Sequence, residues 1–535
     1  LTKDLSALDK IQFSKDEVER AKLNIEDSLY RSKETLAGYT SKLGYFAFFN
    51  GGEQGEANYL RSVKDCDQNI LRDLIKEYFK PEAISLVALV PKDSVPPKSP
   101  AQNWSEWLNN KIKTSWKSSD SQAQKNAESG VKGEPEVIDL GTGRTLVLIP
   151  DSTLPYTAVN MLFRGGDSLL NEKNQGLATF TASLLTKGTK KMNAPAIEDY
   201  LSGRAASFGA TSGRQSFNVS MNFPERFSKD MFELLHSTLV TPAMKEEEAV
   251  RVKENQIAAI TRSEDSPTGL AFRRMFPFLL GNHPYGYLQL GEKERVAKFT
   301  ARDAREFWRE QTLHPWVMAI CGSYDREAIL AAVKKLPIPG KEQQEIATPN
   351  WSEDKELDLH LKDRNQGHLL MVFPTAGIGS EDEAGLDLLQ NILAGQSGLH
   401  FRDLRDKQGL GYTVTAFPRK TQKTGAQIFY IGTEPDKMQQ AEEGFRKVIK
   451  SLHDTTLPDA ELERGKNQIQ GDYYREHQSL GSRSSEAGVL TILNQPLDSA
   501  RKLVEKARAV DAATLQSLAQ KYLQTDKAYI VKVTP

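Results

Sequence analysis

Phe13-Ser14-Lys15-Asp16-Glu17-Val18-Glu19-Arg20-Ala21-Lys22-Leu23-Asn24-Ile25 returns 444 residues later as Leu457-Pro458-Asp459-Ala460-Glu461-Leu462-Glu463-Arg464-Gly465-Lys466-Asn467-Gln468-Ile469. Glu17, Glu19, Arg20, Lys22 and Ile25 match Glu461, Glu463, Arg464, Lys466 and Ile469. The register holds without a gap from 13–91 to 457–535, through Tyr30-Arg31 with Tyr474-Arg475, Leu36 with Leu480, Tyr78 with Tyr522, and Pro91 with Pro535. Such a repeat decides the architecture before any single motif does. Each copy reads as amphipathic helices followed by one apolar strand. Leu71, Leu74, Ile75 and Tyr78 recur at helical spacing, as do Leu515, Leu518 and Tyr522, and Ile84 to Val90 is the strand of the first copy. A looser copy lies between them, with a helix opening at Arg251-Val252-Lys253, another closing at Phe307-Trp308, and the strand Trp316-Val317-Met318-Ala319-Ile320.

Strands are also predicted at Thr145 to Ile149 and Ala158 to Phe163, separated by the turn Pro150-Asp151-Ser152. Gly165-Gly166 then leads to a helix expected from about Asn174. Strands followed by helices within each repeat indicate an α+β fold of tandem sheet-plus-helices domains. The 535 residues exceed one ordinary core, the prior being roughly 150 per domain. The expected layout is a C-terminal part of a preceding domain at 1–94, a linker at 95–134, a domain at 135–340, a joint at 341–352 and a domain at 353–535. The copy at 13–91 lacks the front strands that precede its counterpart, so the chain is expected to begin inside a domain. The linker is rich in Pro, Ser and Lys, but Trp104, Trp107 and Trp116 imply that part of it packs on a surface.

Lysine plus arginine total 70 against 71 for aspartate plus glutamate, a balance that argues against coating nucleic acid or an anionic membrane. No apolar run reaches the roughly 18 residues of a membrane span. The two cysteines, Cys66 and Cys321, cannot build a zinc ribbon or a disulfide framework. None of the eight histidines forms an H-x-x-H, H-x-x-x-H or H-E-x-x-H pair. His360 and His368 flank strand-like residues and are expected at the surface. Gly395-Gln396-Ser397-Gly398 is followed by Leu399 and so is not a nucleophile elbow. Neither Ser183 nor Ser397 has a histidine that the sequence can nominate as its base.

Met161-Leu162-Phe163-Arg164-Gly165-Gly166-Asp167, with Gly176-Leu177-Ala178-Thr179-Phe180-Thr181-Ala182-Ser183-Leu184-Leu185-Thr186-Lys187-Gly188-Thr189 after it, resembles the zinc-site region of the pitrilysin/insulinase peptidases. There Gly-Leu-Ala precedes H-x-x-E-H, whose histidines bind zinc and whose glutamate is the general base. In this chain those positions are Thr179, Ala182 and Ser183. The family's third ligand, a glutamate roughly 75 residues on, would fall near Ala258-Ala259, with Glu254 the nearest acid. The resemblance therefore implies a degenerate zinc site and no metal held by this chain.

Phe401-Arg402-Asp403-Leu404-Arg405-Asp406-Lys407-Gln408-Gly409-Leu410-Gly411-Tyr412-Thr413-Val414 is similar to the signature of the family's non-metal half. Arg405 and Tyr412 match it in residue type and in their spacing of seven. The resemblance implies that the arginine contacts a substrate carbonyl and the tyrosine an oxyanion, both acting in trans on the other half's zinc site. By residues alone, Arg405 pairing with Asp403 or Asp406 and Tyr412 packing in a sheet stand beside that reading. The whole chain then looks like one bowl of a two-bowl clamshell, the inactive C-terminal half of a four-domain member. Its expected partners are a zinc-bearing N-terminal half or subunit and peptide substrates, with zinc in the partner half. For a bacterial member the resemblance favours the periplasm. The alternative is a non-catalytic scaffold or peptide-binding subunit, of which the family has examples.

Overall fold

The computed structural model describes residues 13–49, 52–79, 132–340, 346–395 and 398–535, and they divide into two units. The predicted strand at 84–90, the three linker tryptophans and Ser397 lie outside the described residues.

The first unit, residues 1–129 with 202–205, has four described helices: α1 (Lys15–Arg31), α2 (Leu36–Phe49), α3 (Glu53–Asp65) and α4 (Gln68–Tyr78). Ser14 and Glu17 close a reciprocal capping box at the start of α1, and Asp67 accepts from the amides of Asn69 and Ile70 at the start of α4. Each such cap is worth about 1 kcal/mol because it satisfies amides that the helix leaves unpaired.

The second unit, residues 130–201 with 206–535, is built on two sheets. The first has the strands β1 (Glu136–Asp139), β2 (Arg144–Pro150), β3 (Tyr156–Arg164), β4 (Ser207–Ser212), β5 (Ser216–Pro224) and β6 (Trp316–Gly322), in the order β1-β2-β6-β3-β5-β4. Its helices are α5 (Leu177–Leu185), α6 (Ala194–Ser202), α7 (Ser228–Val240), α8 (Glu246–Glu264), α9 (Pro267–Leu280), α10 (Ala301–Gln311) and α11 (Arg326–Lys334). The second sheet has β7 (Glu356–His360), β8 (Gly367–Thr375), β9 (Gly411–Lys420), β10 (Gly425–Thr433) and β11 (Tyr529–Thr534), in the order β7-β11-β8-β10-β9. Around it lie α12 (Glu383–Leu393), α13 (Met438–Asp454), α14 (Asp459–Glu476), α15 (Leu480–Ile492), α16 (Ser499–Ala509) and α17 (Ala512–Tyr522).

Apart from the extra β1, the two sheets are one topology used twice. In each, the last strand of the domain enters between the first two, parallel to the first (β2 with β6, β7 with β11) and antiparallel to the second. The remaining pairs are antiparallel in both sheets. The helical repeat is equally regular: α14 to α17 fall, within two residues, where α1 to α4 lie once 444 is added. Asp511 caps α17 as Asp67 caps α4.

Both sheets are covered on two faces, which is why β3, β6, β8 and β10 are buried almost throughout. The second face of each is closed by a helix from the other domain. α15 lies across β3 and β6, and α9 lies across β8 and β11. At the first of these contacts the Asn160 amide donates to Ser484 Oγ at 2.7 Å, and Arg164 Nε donates to Ile492 O at 2.8 Å. A cation at the last carbonyls of a helix also meets the negative end of its dipole. Gly488 makes the close approach possible, since a Cβ there would stand 2.5 Å from Leu162 Cδ1. Among the described residues no helix is long and apolar enough to cross a membrane.

The predicted helix from Asn174 begins three residues later, because Gly176 takes a φ of +90° and its backbone turns before α5 starts. Gly488→Leu is expected to cost about 2–3 kcal/mol by forcing α15 off β3. Thermal unfolding of the purified chain measures it, and an unchanged midpoint would show that this helix does not pack as described.

Candidate functional site

α5 carries the three positions that the resemblance singles out. Thr179 is half-buried and its hydroxyl donates to Gln289 O at 2.8 Å, Ala182 is 2% exposed in the core, and Ser183 faces solvent. The start of α5 is crossed by the 288–291 backbone, so close that a Cβ on Gly176 would lie 2.7 Å from Leu290 and Gly291. The side chain of α8 that reaches this crossing is Gln256, whose amide donates to Gly176 O at 3.1 Å and Leu290 O at 2.8 Å. Of Ala258 and Ala259, the positions expected from spacing, the first is exposed and the second half-buried, and Glu254, the nearest acid, is exposed. Val252, Gln256 and Ile260 are the buried face of α8, four residues apart, and that period locates the true neighbour of α5.

These groups do not fit a zinc ion. Structural and catalytic zinc takes thiolate, imidazole or carboxylate ligands. Here stand two neutral hydroxyls, a methyl group and a carboxamide whose NH2 already serves two carbonyls. No group of three or more His, Cys, Asp or Glu placed to hold a metal occurs among the described residues.

Beside α5 lies a feature that sequence reasoning missed. Asp167, in the 3-10 turn after β3, is 1% exposed, with Arg214 Nη1 4.0 Å from its carboxylate. Burial pushes its pKa up to about 7, against the pull of Arg214. Arg214 in turn donates to the carbonyls of Pro284 and Tyr287, and its guanidinium lies over the Phe276 ring. Arg214 and Arg419, with Tyr285, Phe276, Gln289 and Trp351, line a cavity of about 460 Å³. No motif announces this pair, because β3 and the β4–β5 turn bring together residues 47 apart.

Arg405 lies in a π-helical turn, Phe401–Asp406, which packs on β9 and α13. π-Helical turns are rare and concentrate at functional sites. Leu404 anchors the turn in the core, and the Arg405 guanidinium stacks 4.4 Å above the Phe401 ring. Asp403 pairs with Lys407, at 2.5 Å. Just before the turn, His400 is fully buried between Phe429 and Phe445, and burial drives its pKa down to about 3, so its ring is neutral at physiological pH. Tyr412 is the second residue of edge strand β9 and lies at a bulge: Gly411 pairs with Thr433 and Thr413 with Gly432, leaving Tyr412 as the extra residue. Bulges of this kind recur beside active sites. The Arg405/Tyr412 segment and α5 pack against elements of different sheets.

His368, expected at the surface, is 7% exposed and hydrogen-bonded to Tyr430 at 2.8 Å. The reason is that α9 covers the face of β8 on which it stands, while His360, on edge strand β7, is exposed as expected.

Two family models match this chain, Insulinase (Peptidase family M16) over residues 146–279 and Peptidase M16 inactive domain over 299–469, together more than half of it. The chain belongs to the insulinase-type M16 peptidase family. Among its relatives is a Bacillus subtilis protein called an uncharacterized zinc protease, 24% identical over 72% of this chain and 95% of that protein. Another, from Helicobacter pylori and called a non-peptidase homolog, is 23% identical over 64% of this chain and 81% of its own length. The fold is shared with a peptidase M16 inactive domain from Pseudomonas fluorescens, with a TM-score of 0.68 at 20% identity over 75% of this chain and 98% of that one. A Helicobacter pylori protease gives the same TM-score at 18% identity, over 76% of this chain and all of its own. M16 chains thus include both zinc proteases and members named as inactive.

A carboxyl whose pKa rises from about 3.9 in the unfolded chain to about 7 in the folded one holds its proton longer when folded. Its stabilising contribution is complete below about pH 4 and is lost as pH rises through 7. The midpoint of thermal unfolding is therefore expected to fall between pH 5 and 8, and Asp167→Asn to flatten that slope. An unchanged slope in the variant would place the titration elsewhere.

Proposed function

We propose that this chain is the non-metal half of a bipartite zinc metalloendopeptidase. It binds an extended peptide, closes a chamber over it and supplies Arg405 and Tyr412 to a zinc site carried by a partner half. The observation that carries this reading is complementary loss and retention. α5 has no side chain fit to hold zinc, while Arg405 and Tyr412 keep the family's spacing on a π-helical turn and a strand bulge.

The chemistry of the two side chains suits the role. A guanidinium presents rigid paired donors to a peptide carbonyl. A phenol aimed at a developing oxyanion contributes in the manner of an oxyanion-hole donor, about 3–4 kcal/mol. β9 is the edge strand of its sheet, and an extended substrate adds to it as one more strand. A second reading, a non-catalytic partner subunit, is favoured by the Helicobacter pylori relative that is named a non-peptidase homolog.

A quenched fluorescent peptide with added zinc separates the two. The chain alone is expected to be silent, and its mixture with an H-x-x-E-H-bearing M16 partner to be active and sensitive to chelator. In that mixture Tyr412→Phe should lower kcat about 10²- to 10³-fold, the loss typical of one oxyanion donor. Arg405→Lys should chiefly raise KM. Unchanged turnover in Tyr412→Phe would refute the assigned role, and a silent mixture of folded, associated chains would favour the subunit reading.

A further inference from the structure

The cavity of about 460 Å³ in front of Arg214 is lined by charge of one sign. Its volume lies within the range of small-molecule sites, roughly 300–1,000 Å³. Arg214, Arg273, Arg419 and Lys420 line it, and among the described residues no aspartate or glutamate does. Two of these cations are neutralised from behind. Arg273 pairs with Glu264 at 3.2 Å and Glu292 at 3.1 Å, and Lys420 with Glu383 at 3.0 Å and Asp387 at 2.5 Å. The other two are not. Arg419 is exposed and has no ion pair among the described residues. Arg214 has Asp167 at 4.0 Å, but burial lifts that carboxyl to a pKa of about 7, so its charge is present only in part at neutral pH. Burial lowers the pKa of Arg214, and the charge of Arg419 lowers it further, which places the two guanidiniums within each other's field.

The donors are held in place before any ligand arrives. Arg214 uses Nη1 for the carbonyls of Pro284 and Tyr287, and its Nε and Nη2 have no hydrogen-bond partner among the described residues. The Phe276 ring lies 5.4 Å from its guanidinium carbon. The β4–β5 turn that carries Arg214 is tied to the β9–β10 turn that follows Arg419. There the Gln422 amide donates to Gln215 Oε1 and Gln215 Nε2 donates to Gln422 Oε1, each at 3.2 Å. Fixing the donors in advance removes part of the ordering cost of binding. Burial raises the pKa of Tyr285, so its phenol keeps its proton. The remaining walls are aromatic, with Phe272 and Phe276 of α9 facing the cavity beside Trp351, whose Nε1 donates to Thr424 Oγ1 at 3.3 Å.

We propose that this cavity binds a carboxylate joined to an aromatic group, with the carboxylate on Arg214 and Arg419 and the aromatic group against Phe272, Phe276 and Trp351. A guanidinium presents paired donors that match the two oxygens of a carboxylate. The charge balance sets the valence: one cation unopposed and a second opposed in part suit a single negative charge better than the two of a phosphate monoester. The aromatic walls reward a flat apolar body and offer little to a sugar or a polar chain. A free organic acid and the last residue of a peptide present this same group. The site lies within the larger unit and its argument uses neither zinc nor a partner half, so it goes beyond the function proposed above and does not rest on it.

Calorimetric titration of the full chain with N-acetyl-phenylalanine and with N-acetyl-phenylalanine amide reads the need for the charge. The acid is expected to bind at least about tenfold more tightly than the amide, the scale of a hydrogen bond to a charged group. Equal affinities, or binding of neither, would overturn the proposal. Arg214→Gln should abolish the preference for the acid. Because Arg214 also ties down the 284–287 backbone, Arg419→Gln is the companion variant: its side chain is exposed and unpaired, so the midpoint of thermal unfolding should stay in place while the acid binds several-fold more weakly. Undiminished affinity for the acid in Arg419→Gln would remove that residue from the site and overturn the proposal as stated. A short peptide ending in phenylalanine, offered as free acid and as amide, separates the two sources. Acid-selective binding of the peptide assigns the cavity to peptide carboxyl ends, and binding of N-acetyl-phenylalanine without the peptide assigns it to a free organic acid.

Discussion

In the larger unit each domain finishes its neighbour. α15 belongs to the second sheet by sequence and covers the first, and α9 does the reverse, so neither sheet is sealed on both faces by its own helices. A sheet strand that is apolar on both sides needs two covers, and Leu162, Val317 and Ala319 on one side of β3 and β6 depend on α15 as Met161, Phe163 and Met318 depend on the domain's own helices. The polar contacts at this seam, Asn160 to Ser484 and Arg164 to the end of α15, fix its register where apolar packing alone would let the helix slide. From that exchange follow the burial of His368, the close approach at Gly488 and the cavity where Arg214 and Arg419 meet.

The two candidate regions differ in what their surroundings do for them. At α5 the loop 288–291 spans the helix start and employs Thr179 and Gln256 as structural hydrogen-bond donors, so these side chains serve the scaffold. Around Arg405 the scaffold is also firm, with Leu404, His400 and Phe445 in the core, but the chain departs from regular geometry at two points, the π-helical turn and the bulge at Tyr412. Irregularity held in place by a packed core is a costly arrangement, and natural proteins keep it mostly where a side chain must be aimed.

Much of the fold was legible because its signals are local and repeated. The spacing of Leu515, Leu518 and Tyr522 marks a helix whatever surrounds it, and a gapless offset carries that helix from one copy to the next. The α+β class was readable from the order of strands and helices, and the family from a resemblance carried by two short stretches of sequence. What escaped was set by tertiary placement. Gln256 was passed over because counting residues along the chain from α5 ignores which face of α8 turns toward it. Asp167 looked like any acid after a glycine turn, and only its burial, which tertiary packing decides, makes it a proton-holding carboxyl despite the nearby Arg214. His368 was placed at the surface because a strand next to polar residues suggests one open face, and nothing in its own sequence says that a helix from another domain will lie there.

The strand order has a consequence for how the molecule is made. In both sheets the strand that enters between the first and second is the last of the five to leave the ribosome, β6 after β2 to β5 and β11 after β7 to β10. Until it arrives, β2 cannot join β3 and β7 cannot join β8, so each domain waits as two unjoined pieces with bare edges. Even then the first sheet stays uncovered on one side until α15 has been synthesised, more than 150 residues after β6. Such long-range closure folds slowly and leaves apolar strands exposed while translation continues. A nascent chain of this design therefore carries unpaired, apolar strand edges through much of its synthesis.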